Sequence, residues 1–362
     1  MSNIKYYDFI AADITNICNL RCPYCLNDWT KVGAPKLMDE ITFLKVTSLL
    51  PLLDSDASFY FSCLFEPTIH PNMISLIKMV PLAHRKKVFF TTNLTFPLPD
   101  ELIGELANLD IHHINISLDS LDPQVFKTLR KGANFHIFID NLKRLTNTFR
   151  KIPHSPPIHY ITVISKNNLK EVPIIVEKCA TEYLAALNEV RTFSVHEHMN
   201  KAWVSENSIT YEEYLRLRDT LSKMPYKWES YYPQLPHKWT TFYTEETEYD
   251  KFYRAIKDQR LREIYYVAPY KALRVDANGY VELFHIGVDV KFDLKEVKAP
   301  YDFFKNILTL HCLDVDRAKE IKKLTEEKIS LSLQNSQLRA SAKSQIKYYL
   351  NKIKHTIKNF RD

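Results

Sequence analysis

The stretch CNLRCPYC, Cys18 to Cys25, decides how this chain is read, because it sets three thiols, Cys18, Cys22 and Cys25, on one short loop. Thiolates held this close repel one another unless a metal neutralises them. A structural zinc site closes with four ligands, and the next cysteine, Cys63, lies far along the chain in a single-cysteine context. A 4Fe-4S cluster held by three cysteines instead keeps one iron open, as a catalytic cluster requires. The preceding segment YYDFIAADITNI, residues 6–17, reads as a strand, so the loop sits at that strand's C-terminal end.

Outward from the loop the pattern alternates. TFLKVTSLLPLLD reads as a helix, SFYFSCLF as a strand, MISLIKMVPLAHR as a helix and KVFFTTNL as a strand. ELIGELANLD, FHIFIDNLKRLTNTF and LKEVPIIVEKCATEYLA read as further helices, and IHHINISLDSLD, PPIHYITVIS and NEVRTFSVH as further strands. Six such cycles predict parallel strands with right-handed crossovers. Polar residues gather where the strands end: Glu66 after the second, Thr91, Thr92 and Asn93 after the third, Ser117 and Asp119 after the fourth. That is the face on which parallel α/β folds build their sites.

With Tyr24 just before its last cysteine, the C-x3-C-x2-C spacing resembles the signature of the radical S-adenosylmethionine (radical SAM) enzymes. The resemblance covers about residues 5–200 and implies a 4Fe-4S cluster on Cys18, Cys22 and Cys25, S-adenosylmethionine on the open iron, and a partial (β/α)6 TIM-type barrel. SCLFEP resembles the family's Gly-Gly-Glu segment, with Cys63 and Phe65 in place of glycines and Glu66 as the carboxylate for the cofactor's amino group. INISLDSLD resembles the fourth strand, which implies that Ser117 reaches the cofactor. TLRKG is similar to an Arg-Gly element of the branch with SPASM or twitch domains, making Arg130 the candidate for the cofactor carboxylate. Tyr24 and Asn93 complete the expected cofactor contacts.

The expected organisation is a barrel over 1–209, a degenerate SPASM/twitch-like α+β cover over 210–315, and a basic helical tail over 316–362. In the middle part TYEEYLRLRDTLSKM reads as a helix capped by Thr210, and the aromatic segment with Trp228 and Trp239 reads as an irregular cover. KALRVDANGYVELFHIGVDVKF reads as a hairpin turning in type I′ geometry at Asn278 and Gly279. Phe284 and His285 stand where that branch carries a cluster-binding cysteine, so an auxiliary cluster is not expected. In the tail, Ile321, Leu324, Leu331 and Leu338 follow heptad spacing, which fits a homodimer or a partner helix.

Composition narrows the classes further. Five glycines in 362 residues, with no P-loop and no G-x-G-x-x-G, argue against nucleotide binding through a glycine-rich loop. Six cysteines without a disulfide pattern point to a reducing cytoplasm, and no apolar run is long enough to span a membrane. From Arg317 onward 12 Lys and Arg face 4 Asp and Glu, so the net charge of +6 belongs to the tail. The expected activity is radical generation from S-adenosylmethionine, fed by a one-electron reductant such as flavodoxin or ferredoxin. The radical would act on a peptide, sugar or other small metabolite and end in epimerisation, rearrangement, elimination or cross-linking. Two other readings stand beside it: a non-catalytic iron-sulfur scaffold, and a nucleic-acid-modifying radical enzyme docking through the basic tail.

Overall fold

A computed structural model describes residues 6–193, 195–231, 272–283 and 291–309. In chain order the elements are β1 (Tyr7–Ala12), α1 (Glu40–Thr47), β2 (Leu53–Phe61), α2 (Met73–Met79), α3 (Leu82–Arg85), β3 (Val88–Thr92), α4 (Asp100–Ala107) and β4 (His113–Ser117). Then come α5 (Pro123–Leu129), α6 (Phe135–Phe149), β5 (Ile158–Ile164), α7 (Val172–Thr181), β6 (Ala185–Thr192), α8 (Lys201–Asn207), α9 (Tyr211–Ser222) and β7 (Trp228–Tyr231). The strands β8 (Ala272–Val275), β9 (Tyr280–Leu283) and β10 (Lys291–Asp293) follow, and residues 300–309 form helix α10.

The ten strands of the described residues belong to one sheet, ordered β10-β9-β8-β1-β2-β3-β4-β5-β6-β7. β1 to β7 are parallel to their neighbours, β8 pairs in parallel with the free side of β1, and β9 and β10 return antiparallel. β7 and β10 are the two ends of the sheet, which gives an open, partial TIM-type barrel.

Prolines cut two of the expected helices. Pro51 sits in a 3-10 turn over Leu50–Leu52, so α1 stops at Thr47 and Leu53 already starts β2. Pro81 divides residues 73–85 into α2 and α3. The hairpin corrects the turn type: Gly279 has φ +91° while Asn278 does not, so the β8–β9 connection is not type I′. Instead Gly279 N–H donates to Asp276 O, and Asp276 Oδ1 accepts from the backbone N–H groups of Asn278 and Tyr280. Trp228 lies in β7, a seventh parallel strand rather than irregular cover. Trp239, Phe284, His285, Cys312 and the heptad tail lie outside the described residues.

Alternation along the strands separates two faces. Phe59, Phe61, Phe90, Ile114, Ile116 and Tyr160 are buried in the core that also takes Phe126, Phe138 and Leu142 from α5 and α6. Each such side chain contributes about 1.5–3 kcal/mol on leaving water. On the opposite face a ladder of rings crosses four strands. Tyr60 stacks on Phe89 at 4.3 Å, Phe89 on His113 at 4.7 Å, and His113 on His159 at 4.1 Å. Burial, helped by neighbouring histidines, pushes His113 down to about 3 and His159 to about 4, so both imidazoles are neutral at physiological pH.

One buried carboxylate fastens the sheet where the site begins. Asp13, just past β1, is fully enclosed, and its Oδ1 accepts the N–H groups of Cys63 (2.7 Å) and Leu64 (2.9 Å) beyond β2. Its Oδ2 pairs with Arg274 on β8, Nε at 2.7 Å and Nη2 at 2.6 Å, and Arg274 Nη1 reaches Glu282 on β9 at 2.7 Å. Ser62, between these partners, holds a left-handed φ of +66° that a non-glycine residue adopts at a cost. Asp13→Ala leaves Arg274 with Glu282 as its remaining acid and frees two buried N–H groups. It should lower unfolding free energy by about 3–5 kcal/mol in urea titration; a loss below about 1 kcal/mol would show that Asp13 does not carry this junction.

Candidate active site

The cysteine loop leaves β1 and is pinned on both flanks. Arg21 N–H donates to Lys131 O at 2.8 Å, and Asn19 Nδ2 donates to Thr95 Oγ1 at 2.9 Å. Gly132 is required here, since it sits at φ +98° and a Cβ would come within 3.1 Å of Asn19 O. This explains the Arg-x-Gly spelling: the residues after Arg130 pass directly against the loop.

The three thiols are shielded, and two of them already receive N–H groups. Cys18 Sγ accepts from Leu20 N (3.4 Å) and from Asn93 Nδ2 (3.6 Å), and Cys25 Sγ accepts from Asn27 N (3.4 Å). Burial pushes Cys18 up to about 12, with the Glu66 charge adding to it, and Cys22 up to about 11 against the pull of Arg130. Cys25 also rises by burial, opposed by N–H groups of Asn27 and Trp29. Metal-free thiols here therefore stay protonated, and binding a metal must displace those protons. Among the described residues no three Cys, His, Asp or Glu side chains close on a single point as one ion demands. The three thiolates of a cubane each take a different iron, so the donor set fits a cluster better than a lone zinc.

Glu66 is buried between β2 and β3. Its Oε1 accepts three donors: Thr68 N (3.2 Å), Thr68 Oγ1 (2.6 Å) and Thr92 Oγ1 (2.7 Å). Its Oε2 accepts only Asn93 N, at 2.7 Å, so lone-pair capacity remains on that oxygen. Glu66 thus also caps the short 3-10 turn Pro67–Ile69. Asn93 has a double role as well: its Oδ1 closes a turn with Thr95 N (2.8 Å), while its Nδ2 reaches Asn19 Oδ1 (3.0 Å) and Cys18. Ser117 ends β4 on the face opposite the helices, and its hydroxyl has no protein partner among the described residues.

Tyr24 and Arg130 meet at Asp119. The Tyr24 hydroxyl donates to Asp119 Oδ2, and Val163 N donates to Oδ1 at 2.8 Å. Arg130 Nε stands 2.8 Å from the same Oδ2, close enough for an ion pair but off the line of a hydrogen bond. Among the described residues nothing accepts from the terminal nitrogens of Arg130. Asp119 is no helix cap; that task falls to Asp122, whose Oδ1 accepts Gln124 N and Val125 N at the start of α5. Trp203 of α8 packs on Tyr24 at 6.2 Å and on Phe193 at 5.3 Å, and His198 Nε2 lies 3.0 Å from Cys25 O. These last contacts join distant segments and gave no sequence signal.

Residues 13–179 match the family model for the radical SAM superfamily. They form a radical SAM domain. The family's cofactors are a 4Fe-4S cluster and S-adenosylmethionine. The chain is 29% identical over 174 residues to a tungsten-containing aldehyde ferredoxin oxidoreductase cofactor-modifying protein of Pyrococcus furiosus, covering 46% of each chain. It is 27% identical over 195 residues to a GTP 3′,8-cyclase of Chlorobaculum tepidum, covering 52% of this chain and 56% of that one. The chain thus spans about half the length of the curated relatives it matches. SuiB of Streptococcus suis shares the fold at TM-score 0.58 and 15% identity over 83% of this chain and 68% of its own. anSMEcpe with bound AdoMet does so at TM-score 0.50 and 13% identity over 82% of each. No helix among the described residues is long and apolar enough to cross a membrane.

The thiol shifts carry a pH signature. An unperturbed thiol ionises near pH 8.5, so below that both folded and unfolded chains keep the proton and the stabilisation is intact. Above it the unfolded chain ionises first, and stability is lost as pH rises through the folded values of about 11 and 12. The urea midpoint of metal-free protein should therefore fall between pH 8.5 and 10.5, and fall less in a Cys18→Ser/Cys22→Ser variant. Equal slopes would contradict the buried-thiol account.

Proposed function

We propose that this chain is a radical SAM enzyme whose Cys18, Cys22 and Cys25 hold the three protein-bound irons of a 4Fe-4S cluster. The observation that carries the reading is the convergence on one loop of three shielded thiols, a buried carboxylate with an unspent oxygen, and an arginine with unspent terminal nitrogens. Glu66 Oε2 would accept the amino group of S-adenosylmethionine, and its other oxygen is saturated, so the side chain cannot swing away without breaking three hydrogen bonds. Arg130, anchored by Asp119, would present its planar fork to the carboxylate. The free Ser117 hydroxyl would serve the ribose or methionine part, Asn93 would hold Cys18, and Tyr24 would hold the loop to Asp119. When reduced by one electron, for instance from flavodoxin or ferredoxin, the bound cluster and S-adenosylmethionine supply a 5′-deoxyadenosyl radical that takes a hydrogen atom from substrate.

The face bearing the Tyr60, Phe89, His113 and His159 rings offers the substrate a neutral, partly dry wall. The substrate class is a peptide, a sugar or another small metabolite. The peptide reading is supported by the SuiB structure bound to precursor peptide SuiA, whose likeness extends over 83% of this chain. A one-electron reductant and self-association through the tail belong to the same proposal.

Anaerobic reconstitution tests the core of it. Cys18→Ala, Cys22→Ala or Cys25→Ala should each abolish iron retention and 5′-deoxyadenosine formation with dithionite; a triple variant that still cleaves S-adenosylmethionine refutes the assignment. Glu66→Gln should keep iron and sulfide but raise the S-adenosylmethionine Kd about 10-fold or more, the size of one charge-assisted hydrogen bond. Calorimetric titration reads the change, and an unaltered Kd removes Glu66 from the site.

A further inference from the structure

At the β10 end of the sheet lies a groove of about 530 Å³, between that strand and the start of α10, with Phe292, Val297 and Phe303 as its apolar lining. Phe303 meets Phe292 edge-on at 5.2 Å, and the two meet Phe304 at 5.1 Å and 6.0 Å. Phe304 is fully buried and its carbonyl accepts the Tyr7 hydroxyl of β1 at 3.0 Å, so this floor is fixed to the sheet. Phe303 is 36% exposed, and a ring so placed gains by being covered.

The rim of the groove is acidic. Asp293, Glu296 and Asp302 face two lysines, Lys291 and Lys298, and Lys291 is already spent on Glu282 at 2.7 Å. Glu296 and Asp302 are exposed and hold no ion pair among the described residues. The described chain ends at Thr309, about 9 Å along α10 from Phe303, so the remainder departs beside the groove. In that remainder, residues 343–361 complement it in both respects. Ile346, Leu350, Ile353 and Ile357 recur at helical spacing, and six Lys and Arg stand without a single Asp or Glu. Residues 310–342 supply more length than the return requires.

We infer that residues 343–361 dock on the β10–α10 groove of their own chain, apolar side chains over Phe292, Val297 and Phe303 and lysines against Glu296 and Asp302. The heptad residues Ile321 to Leu338 lie outside this contact and stay available for self-association. Seated there, the segment also shields the end strand from pairing with other chains.

A zero-length carbodiimide, which joins a carboxylate to an amine in contact with it, tests the docking on the purified full chain at low salt. Products are separated on a denaturing gel and their links mapped by mass spectrometry. In the band of monomer mass, Glu296 or Asp302 should be joined to Lys343, Lys347, Lys352, Lys354 or Lys358. A full-length Leu350→Glu/Ile353→Glu variant keeps every lysine and both carboxylates and leaves the sheet untouched. Its links should drop at least about 5-fold, since two apolar side chains lose their burial. Absence of the links in wild-type protein, their confinement to a band of dimer mass, or an equal yield in the variant overturns the inference.

Discussion

The structure depends on one buried charge. Asp13 stands at the end of β1, where the sheet gives way to the cysteine loop, and binds two backbone N–H groups of the turn after β2 and a distant arginine at once. Burial raises its pKa, and Arg274 with the Cys63 and Leu64 N–H groups works against that rise. The arrangement answers a problem posed by the sequence itself. The tight path after β2 runs through Ser62, Cys63 and Leu64 without a glycine, and is kept by a left-handed Ser62 under the carboxylate. A side-chain acceptor thus does for the turn what glycine's conformational freedom would otherwise do.

Around the thiols, the charges are arranged in complementary pairs. Glu66 raises the cost of ionising Cys18, while Arg130 eases that of Cys22 and Cys25. A loop that must become strongly anionic on taking up iron is therefore flanked by an acid on one side and a guanidinium on the other. On the proposed reading, that asymmetry would give a zwitterionic amino acid head group one orientation: ammonium toward Glu66, carboxylate toward Arg130. Asp119 holds Arg130 by an ion pair and accepts the Tyr24 hydroxyl.

Much of this was legible in the chain because local spacing carries it. Three cysteines within one turn of loop, and Glu66, Asn93 and Ser117 at successive strand ends, are short-range patterns, and parallel α/β order places strand ends together. What escaped is long-range or steric. Pro51 and Pro81 break helices whose apolar periodicity runs straight through them. The hairpin turn was misread because an Asn-Gly pair fits type I′, while Asp276 competes for the same N–H groups and imposes another geometry. No local pattern joins Asp13 to Arg274 or Tyr24 to Trp203.

The pairing of β8 with β1 has a consequence for biosynthesis. The outer edge of the first strand waits for residues 272–275, so the partner of Asp13 is translated 261 positions later. At ribosomal speeds that interval is on the order of ten seconds or more. Throughout it, a nascent chain carries an open, apolar ribbon edge next to an uncompensated acid, the kind of edge that recruits foreign strands. A cell making this protein thus has cause to shield its first strand until synthesis passes β8, and truncation upstream of that point would leave a permanently sticky fragment.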